Sequence, residues 1–198
     1  MRALERVCVF CGSSPGRDPA YLHAAGALGS ALARRGVTLI YGGGSLGLMG
    51  AVADRALSDS GKVVGVITRQ LLDKEVAHGR LSDLRVVDTM HERKKMMADL
   101  ADGFIALPGG LGTLDELFEI VTWAQLRLHA SPVGILNVGG FYDGLLGFLD
   151  RVRTDGFLRL DLERAVHVHS DPERLLDAMI AHRPAEVRDW QRVPPAAP

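Results

Sequence analysis

The sequence predicts a doubly wound, Rossmann-like α/β fold: a parallel sheet of about seven strands with helices on both faces. Three observations carry this expectation. Short apolar runs alternate strictly with longer stretches at helical spacing through most of the 198 residues. Several of these runs are continuously apolar, as in a parallel sheet covered on both faces. Two of them break directly into glycine-rich turns that lead into helical patterns, Gly42-Gly43-Gly44-Ser45-Leu46-Gly47 and Pro108-Gly109-Gly110-Leu111-Gly112-Thr113.

Taken in order, the first strand is expected over Val7 to Cys11 and the first helix over Pro19 to Arg34. Cys8 and Cys11, the chain's two cysteines, both fall in that strand. Residues three apart on a strand point to opposite faces, so these read as separate buried thiols and not as a redox or zinc pair. A second strand, Val37 to Tyr41, runs into the first glycine turn and a helix from Gly47 to Ser60. After the strand Lys62 to Ile67, the stretch Thr68 to Asp83 is longer than such a fold needs and is expected to cover a site. The strand Leu84 to Val87 and the helix Met90 to Ala101 come next, then the strand Gly103 to Leu107. Beyond the second glycine turn lie the helix Thr113 to Leu128, the strand Pro132 to Asn137 and the helix Tyr142 to Arg153. The strand Ala165 to Val168 and the helix Pro172 to His182 complete the series. Residues 1–183 are expected to form one domain, and 184–198, which carry Pro184, Pro194, Pro195 and Pro198, a poorly ordered tail.

Composition narrows the functional classes. A content of 47% hydrophobic and 24% charged residues describes an ordinary globular chain. A formal charge of −1 gives no electrostatic case for nucleic acid or a membrane surface as partner. No segment reads as a secretory signal or a bilayer span, so a cytoplasmic protein is expected.

A junction of strand, glycine turn and helix presents unpaired N–H groups and the positive end of a helix dipole, which suits a phosphate. Two such junctions point to a nucleotide or sugar phosphate held between them. Ser13, Gly43, Gly44, Gly109 and Leu111 then become binding candidates, since ligands of this fold sit outside the carboxyl ends of the strands. Gly42-x-Gly44-x-x-Gly47 matches the dinucleotide fingerprint, but it follows the second strand, and Thr68-Arg69 stands where an acidic residue would close the next one. No Gly-Lys-Ser/Thr follows either turn, which excludes a P-loop. His167-x-His169 has no ligand companions nearby in sequence; both histidines are expected to be solvated strand residues, and no metal is expected.

Two charged residues stand out. Thr113-Leu114-Asp115-Glu116 has the form of a capping box, with Thr113 at N-cap and Glu116 at N3. Glu116 either satisfies a backbone donor there or reaches the sugar attached to a bound phosphate. In the helix that starts at Met90, Arg93 shares a face with Met90, Met97 and Leu100, while Glu92, Lys95 and Asp99 take the other side. A guanidinium on an apolar face needs a partner or a site, the alternative being an arginine that snorkels near the helix start. The methionines read as core filler.

With Gly42-Gly43-Gly44-x-x-Gly47-Leu48-Met49-Gly50, Met90-His91-Glu92-Arg93-Lys94-Lys95-Met96 and Pro108-Gly109-Gly110-x-Gly112-Thr113-x-x-Glu116 assembled, the chain resembles the LONELY GUY (LOG) family of cytokinin-activating phosphoribohydrolases. Further similarity runs through Thr122-Trp123-Ala124-Gln125-Leu126, Pro132-Val133-Gly134-Ile135-Leu136-Asn137 and Gly140-Phe141-Tyr142-Asp143. The resemblance implies hydrolysis of the N-glycosidic bond of AMP and isopentenyladenosine monophosphate, without metal or cofactor. It implies Arg93 and Glu116 as the catalytic pair and Glu75, Lys94, Gly110, Gly112, Thr113 and Thr122 as substrate contacts. The surroundings of Glu75, Leu72-Asp73-Lys74-Glu75-Val76, depart from the form common in plant members. It further implies a homodimer, with contacts near Phe141-Tyr142-Asp143 and on the helix that carries Trp123.

Two other readings have distinct requirements. A lysine decarboxylase needs pyridoxal phosphate on a lysine and a partner for the ring nitrogen, and none of Lys62, Lys74, Lys94 and Lys95 has such a setting. A nucleotide-binding or molybdenum-cofactor-carrier-like protein without hydrolase activity would keep the glycine turns but would not need both Arg93 and Glu116.

Overall fold

The computed structural model describes residues 4–72, 77–81, 83–158 and 160–183. Seven strands form one parallel sheet in the order β4-β3-β2-β1-β5-β6-β7. They are β1 (Arg6–Phe10), β2 (Thr38–Tyr41), β3 (Val63–Thr68), β4 (Asp83–Val87), β5 (Gly103–Ala106), β6 (Val133–Leu136) and β7 (Val166–His169). The chain winds outward from β1 to β4, then returns to the other side of β1 at β5. The loops after β1 and β5 therefore diverge in direction and leave a crevice between them at the carboxyl edge.

The helices are α1 (Pro19–Arg34), α2 (Gly47–Ser58), α3 (Arg69–Leu72), α4 (Met90–Leu100), α5 (Leu111–Gln125), α6 (Asp143–Thr154), α7 (Leu162–Ala165) and α8 (Pro172–Ile180). Apolar residues of α1, α2 and α8 form the core on one sheet face, and those of α4 and α5, with α6 and α7 packed alongside, the core on the other. The strand alternation anticipated for β1 is realised, because Cys8 belongs to the second core and Cys11 to the first, and neither is in a disulfide. Both α1 and α8 begin with aspartate followed by proline. Asp18 and Asp171 accept from the N–H groups of Ala20 and Arg174, and Pro19 and Pro172 need no hydrogen-bond acceptor there. The two helices are also joined by charge, with Arg35 reaching both Glu173 and Asp177 at 2.6 and 2.8 Å.

Several boundaries differ from expectation. The one-turn helices α3 and α7, and a 3₁₀ turn at Val138–Gly140, are too short to carry a periodic signal. The long connection after β3 contains α3 and a bridge between Ala77 and Gly44. His167 corrects the reading of a solvated histidine. Val166 and Val168 face the α5–α6 core, which turns His167 toward α8, where its Nε2 lies 2.9 Å from Nδ1 of His182. Among the described residues no helix is long and apolar enough to cross a membrane. Glu75 and the proline-rich segment 184–198 lie outside the described residues.

The histidines near β6 and β7 couple stability to pH. Burial lowers the pKa of His129, burial and then His169 lower that of His167, and burial followed by His167 and His129 lowers that of His182. The folded chain thus binds fewer protons at these sites than the unfolded chain, so their contribution is complete above the ordinary histidine pKa and is lost as pH falls below it. The melting temperature is expected to fall between about pH 7 and pH 5. A calorimetric series should show a shallower fall for His167→Gln/His182→Gln; an unchanged slope would remove the pair as the cause.

Candidate active site

Three loops meet at the crevice, and Gly12 joins them. Its N–H donates to the carbonyl of Pro108 at 3.1 Å, and its own carbonyl accepts from the N–H groups of Leu48 and Met49 at 3.0 and 3.3 Å. The amino end of α2 is therefore occupied by protein and not presented to a ligand. Gly47 shows why this turn is glycine-rich: it has φ of +59°, and a Cβ there would strike the backbone of Ser13. This corrects the expectation of two open anion sites. Gly42 lines the crevice, whereas Gly43 packs against Ile67 and Leu84, and Gly44 pairs with Ala77.

The second turn behaves differently. The helix α5 starts at Leu111 with Gly110 at its N-cap, and no side chain caps it. Thr113 is thus the third helical residue and Glu116 the sixth, so the anticipated capping box does not form there. The cause is local: Thr113 is buried with its side chain against Gly109, where a Cβ would collide with it. The same Thr-x-x-Glu pattern does form a capping box in α4, between Thr89 and Glu92. At Gly110 and Gly112 a Cβ would meet nothing within 4 Å among the described residues. Packing within the fold gives no reason for glycine at either position.

A cavity of about 350 Å³ opens here, within the range of small-ligand sites. Ser13, Gly110, Leu111, Gly112, Thr113, Arg93 and Glu116 line it, together with Asp115. Its apolar wall comes from Phe10, Met49, Leu71, Met90 and Met97. Of the other expected site residues, Gly109 supports the turn from beneath, Thr122 is exposed farther along α5, and Lys94 extends its ammonium from α4 to α5.

Arg93 is 5% exposed and is held by backbone. Its Nε donates to the carbonyl of Val66 and its Nη2 to that of Gly42, both at 3.0 Å. The first carbonyl lies within β3 and the second just past the end of β2, so the guanidinium ties the two strands while keeping its charge at the cavity. Glycine at position 42 is required by this contact, since a Cβ would fall on Nη2. The charge of Glu116 acts in the same neighbourhood. Burial pushes the thiol of Cys8 well up, Glu116 pushes it further, and Arg93 opposes both. Tyr142 steadies the turn from the other side, donating from its hydroxyl to the carbonyl of Leu107 at 2.6 Å.

Lys94 approaches Asp115 at 3.0 Å and Glu119 at 3.2 Å. Burial would lower its pKa, but hydrogen bonds to the two carboxylates outweigh that and raise it. Among the described residues no group of three or more histidine, cysteine or acidic side chains is arranged to hold a metal ion.

Fold and site together define a doubly wound α/β protein whose switch-point crevice combines an uncapped helix N-terminus, a carboxylate and a buried guanidinium. A family model described as "Possible lysine decarboxylase" matches residues 49–179. The rice protein "Cytokinin riboside 5'-monophosphate phosphoribohydrolase LOG" is 52% identical over 82% of this chain and 67% of its own length. The Arabidopsis thaliana relative LOG7, of the same description, is 49% identical over 78% of this chain and 71% of its own. The chain belongs to the LOG family of cytokinin riboside 5'-monophosphate phosphoribohydrolases. It spans 66% of the length of another rice relative, LOGL5. Among solved structures, the molybdenum cofactor binding protein of Rippkaea orientalis is similar at a TM-score of 0.64 and 24% identity, covering 91% of this chain and 98% of that one. The molybdenum cofactor carrier protein of Chlamydomonas reinhardtii follows at 0.66 and 22%, covering 89% and 96%. At these identities the likeness shows the fold alone.

Substituting Gly42→Ala forces Arg93 away from the carbonyls of Val66 and Gly42. Unfolding in urea is expected to show a loss of about 1–3 kcal/mol, the usual effect of overpacking a tight contact. Wild-type stability would mean that Arg93 is not held there.

Proposed function

We propose that this chain hydrolyses the N-glycosidic bond of adenosine 5′-monophosphates, AMP and its N6-prenylated form isopentenyladenosine monophosphate, to the free base and ribose 5-phosphate. The observation that carries this is the placement of Glu116 and the uncapped amino end on one helix, with Arg93 across the same cavity. A 5′-phosphate meets the first-turn N–H groups of Leu111, Gly112 and Thr113, where the helix dipole favours an anion. Glu116 lies four residues beyond Gly112, roughly 6 Å along the axis. That distance is comparable to the reach across a ribose.

Breaking the bond between C1′ and the base leaves positive charge on the ribosyl ring, and a carboxylate beside it lowers the energy of that state. Water then adds to C1′, and its proton leaves with the base or to solvent. The same carboxylate is placed to orient that water or the ribose hydroxyls. Arg93 acts as a fixed charge that orients the phosphate or the carboxylate, or stabilises the departing base. A guanidinium retains its proton at neutral pH, which argues against a general-acid role. The apolar wall of Phe10, Met90 and Met97 suits the purine. No metal or cofactor is required by this chemistry.

Lysine decarboxylation has less support. Lys94 and Lys95 are engaged with Asp115, Glu119 and Asp99, and no lysine is among the described residues that line the cavity. A lysine that forms a Schiff base needs a lowered pKa, whereas that of Lys94 is raised.

Product chromatography with AMP and adenosine tests the proposal. AMP is expected to yield adenine and ribose 5-phosphate, with kcat/KM far above that for adenosine. Glu116→Gln keeps the helix but removes the charge, so kcat should fall by on the order of 10²-fold or more while the melting temperature barely moves. Near wild-type turnover in that variant would refute the assigned mechanism.

The reading extends to a cytosolic homodimer. Buried cysteines that form no disulfide suit a reducing compartment, and a closed two-fold pair is the commonest oligomer. Tyr142 is buried, so Phe141 is the aromatic surface of its segment; Phe118 on α5 and Phe148 on α6 add exposed apolar area. Light scattering at micromolar concentration should give twice the 21.3 kDa chain mass. A monomer would count against the pair.

A further inference from the structure

We infer that Lys94 is a positioning residue for this hydrolysis: its ammonium, held between Asp115 and Glu119, locks α5 against α4 and so sets Glu116 relative to Arg93. The inference rests on the catalytic roles proposed for Glu116 and Arg93. Asp115 and Glu119 are one turn apart on α5, where two like charges repel. Lys94, 13% exposed, lies 3.0 and 3.2 Å from them and neutralises that repulsion from the neighbouring helix. Each end of the bridge is adjacent in sequence to one of the two proposed catalytic side chains. Lys94 follows Arg93, and Asp115 precedes Glu116.

Helix geometry makes the adjacency useful. Successive residues on a helix point about 100° apart. Arg93 therefore turns to the sheet, holding the carbonyls of Val66 and Gly42, while Lys94 turns to α5. A shift of α5 along α4 must break this bridge before it can carry Glu116 out of place. A misplacement of about 1 Å in a catalytic group is enough to cost on the order of 10²-fold in rate.

The same geometry weighs against Lys94 as a direct phosphate ligand. An anion reaching its ammonium would stand beside two carboxylates already within 3.2 Å of it. Lys95, the next residue, pairs with Asp99 on the exposed side of α4 and serves as a control.

The experiment is a mutant cycle on kcat and KM for AMP. Its arms are Lys94→Met, the double variant Asp115→Asn/Glu119→Gln, and all three changes together, with Lys95→Met as control. Lys94→Met and the double variant should each lower kcat by roughly 10-fold or more, and the triple variant no further than the worse of them. KM should change by less than about 3-fold, and Lys94→Arg should retain most of kcat because a guanidinium spans two carboxylates. Ribose 5-phosphate binding, measured by calorimetry, should be nearly unchanged in Lys94→Met. Multiplicative losses, a Lys94→Met kcat equal to wild type, or a loss of roughly 10-fold or more in ribose 5-phosphate affinity would overturn the inference. If Lys94→Met does not fold, kcat in the double variant decides, since its two side chains are more exposed. Glu116→Gln separates the two levels. Should it be inactive while the cycle is multiplicative, only the role of Lys94 fails; should it stay active, the catalytic reading fails and this inference with it.

Discussion

The peptide group of Gly12 is the constraint on which the site depends. Its N–H binds the loop after β5 and its carbonyl binds the start of α2, so the ends of β1, β2 and β5 are tied at one residue. The parallel sheet brings those strand ends to one edge but does not by itself set the heights of the loops above them. With Gly12 in place, the α2 amino end is satisfied internally and the α5 amino end is left facing the crevice. One glycine turn becomes scaffold and the other leaves its helix start uncapped at the cavity. Two similar sequence patterns thus take opposite roles because the carbonyl of a third loop reaches only one of the two helix starts.

The charged groups follow the same division between holding and presenting. Arg93 spends two of its nitrogens on carbonyls of β3 and the β2 turn, which helps to satisfy a cation buried at the edge of the sheet. Glu116 stands on the helix whose amino end faces the same cavity, so the exposed helix start and the carboxylate move together. Tyr142 and the Asn137 side chain that accepts from its N–H brace the turn from the β6 side. The cavity is consequently surrounded by groups whose positions are fixed by backbone hydrogen bonds.

Most of the fold was legible because continuous apolar strands and 3.6-residue periodicity are strong signals. The helix α1 begins and ends at the residues expected, since Asp18-Pro19 marks its start. Arg93 on an apolar face and Glu116 beside the second glycine turn were legible too, as residue types out of place for a plain core. The partners of Arg93 were not, because backbone carbonyls have no identity in a sequence. The Thr113–Glu116 pattern misled for a related reason: whether Thr-x-x-Glu caps a helix depends on where the preceding backbone leaves the extended region. Here that happens at Gly110, and at Thr89 the same pattern caps α4. The pairing of Lys94 with two acids on another helix needed the packing angle of α4 on α5, which no local pattern encodes.

Gly112 and Gly110 separate what the fold requires from what the cavity requires. Alanine within a helix is favoured over glycine by about 0.5–1 kcal/mol, and at Gly112 no described protein atom stands where its methyl would go. The chain therefore forgoes stability that one methyl would supply, at a position where only an occupant of the cavity would meet it. A side chain added at either position would take room from an occupant of the cavity while leaving the core and the sheet untouched. Glycine at these two positions thus answers to the contents of the cavity and not to the scaffold around it.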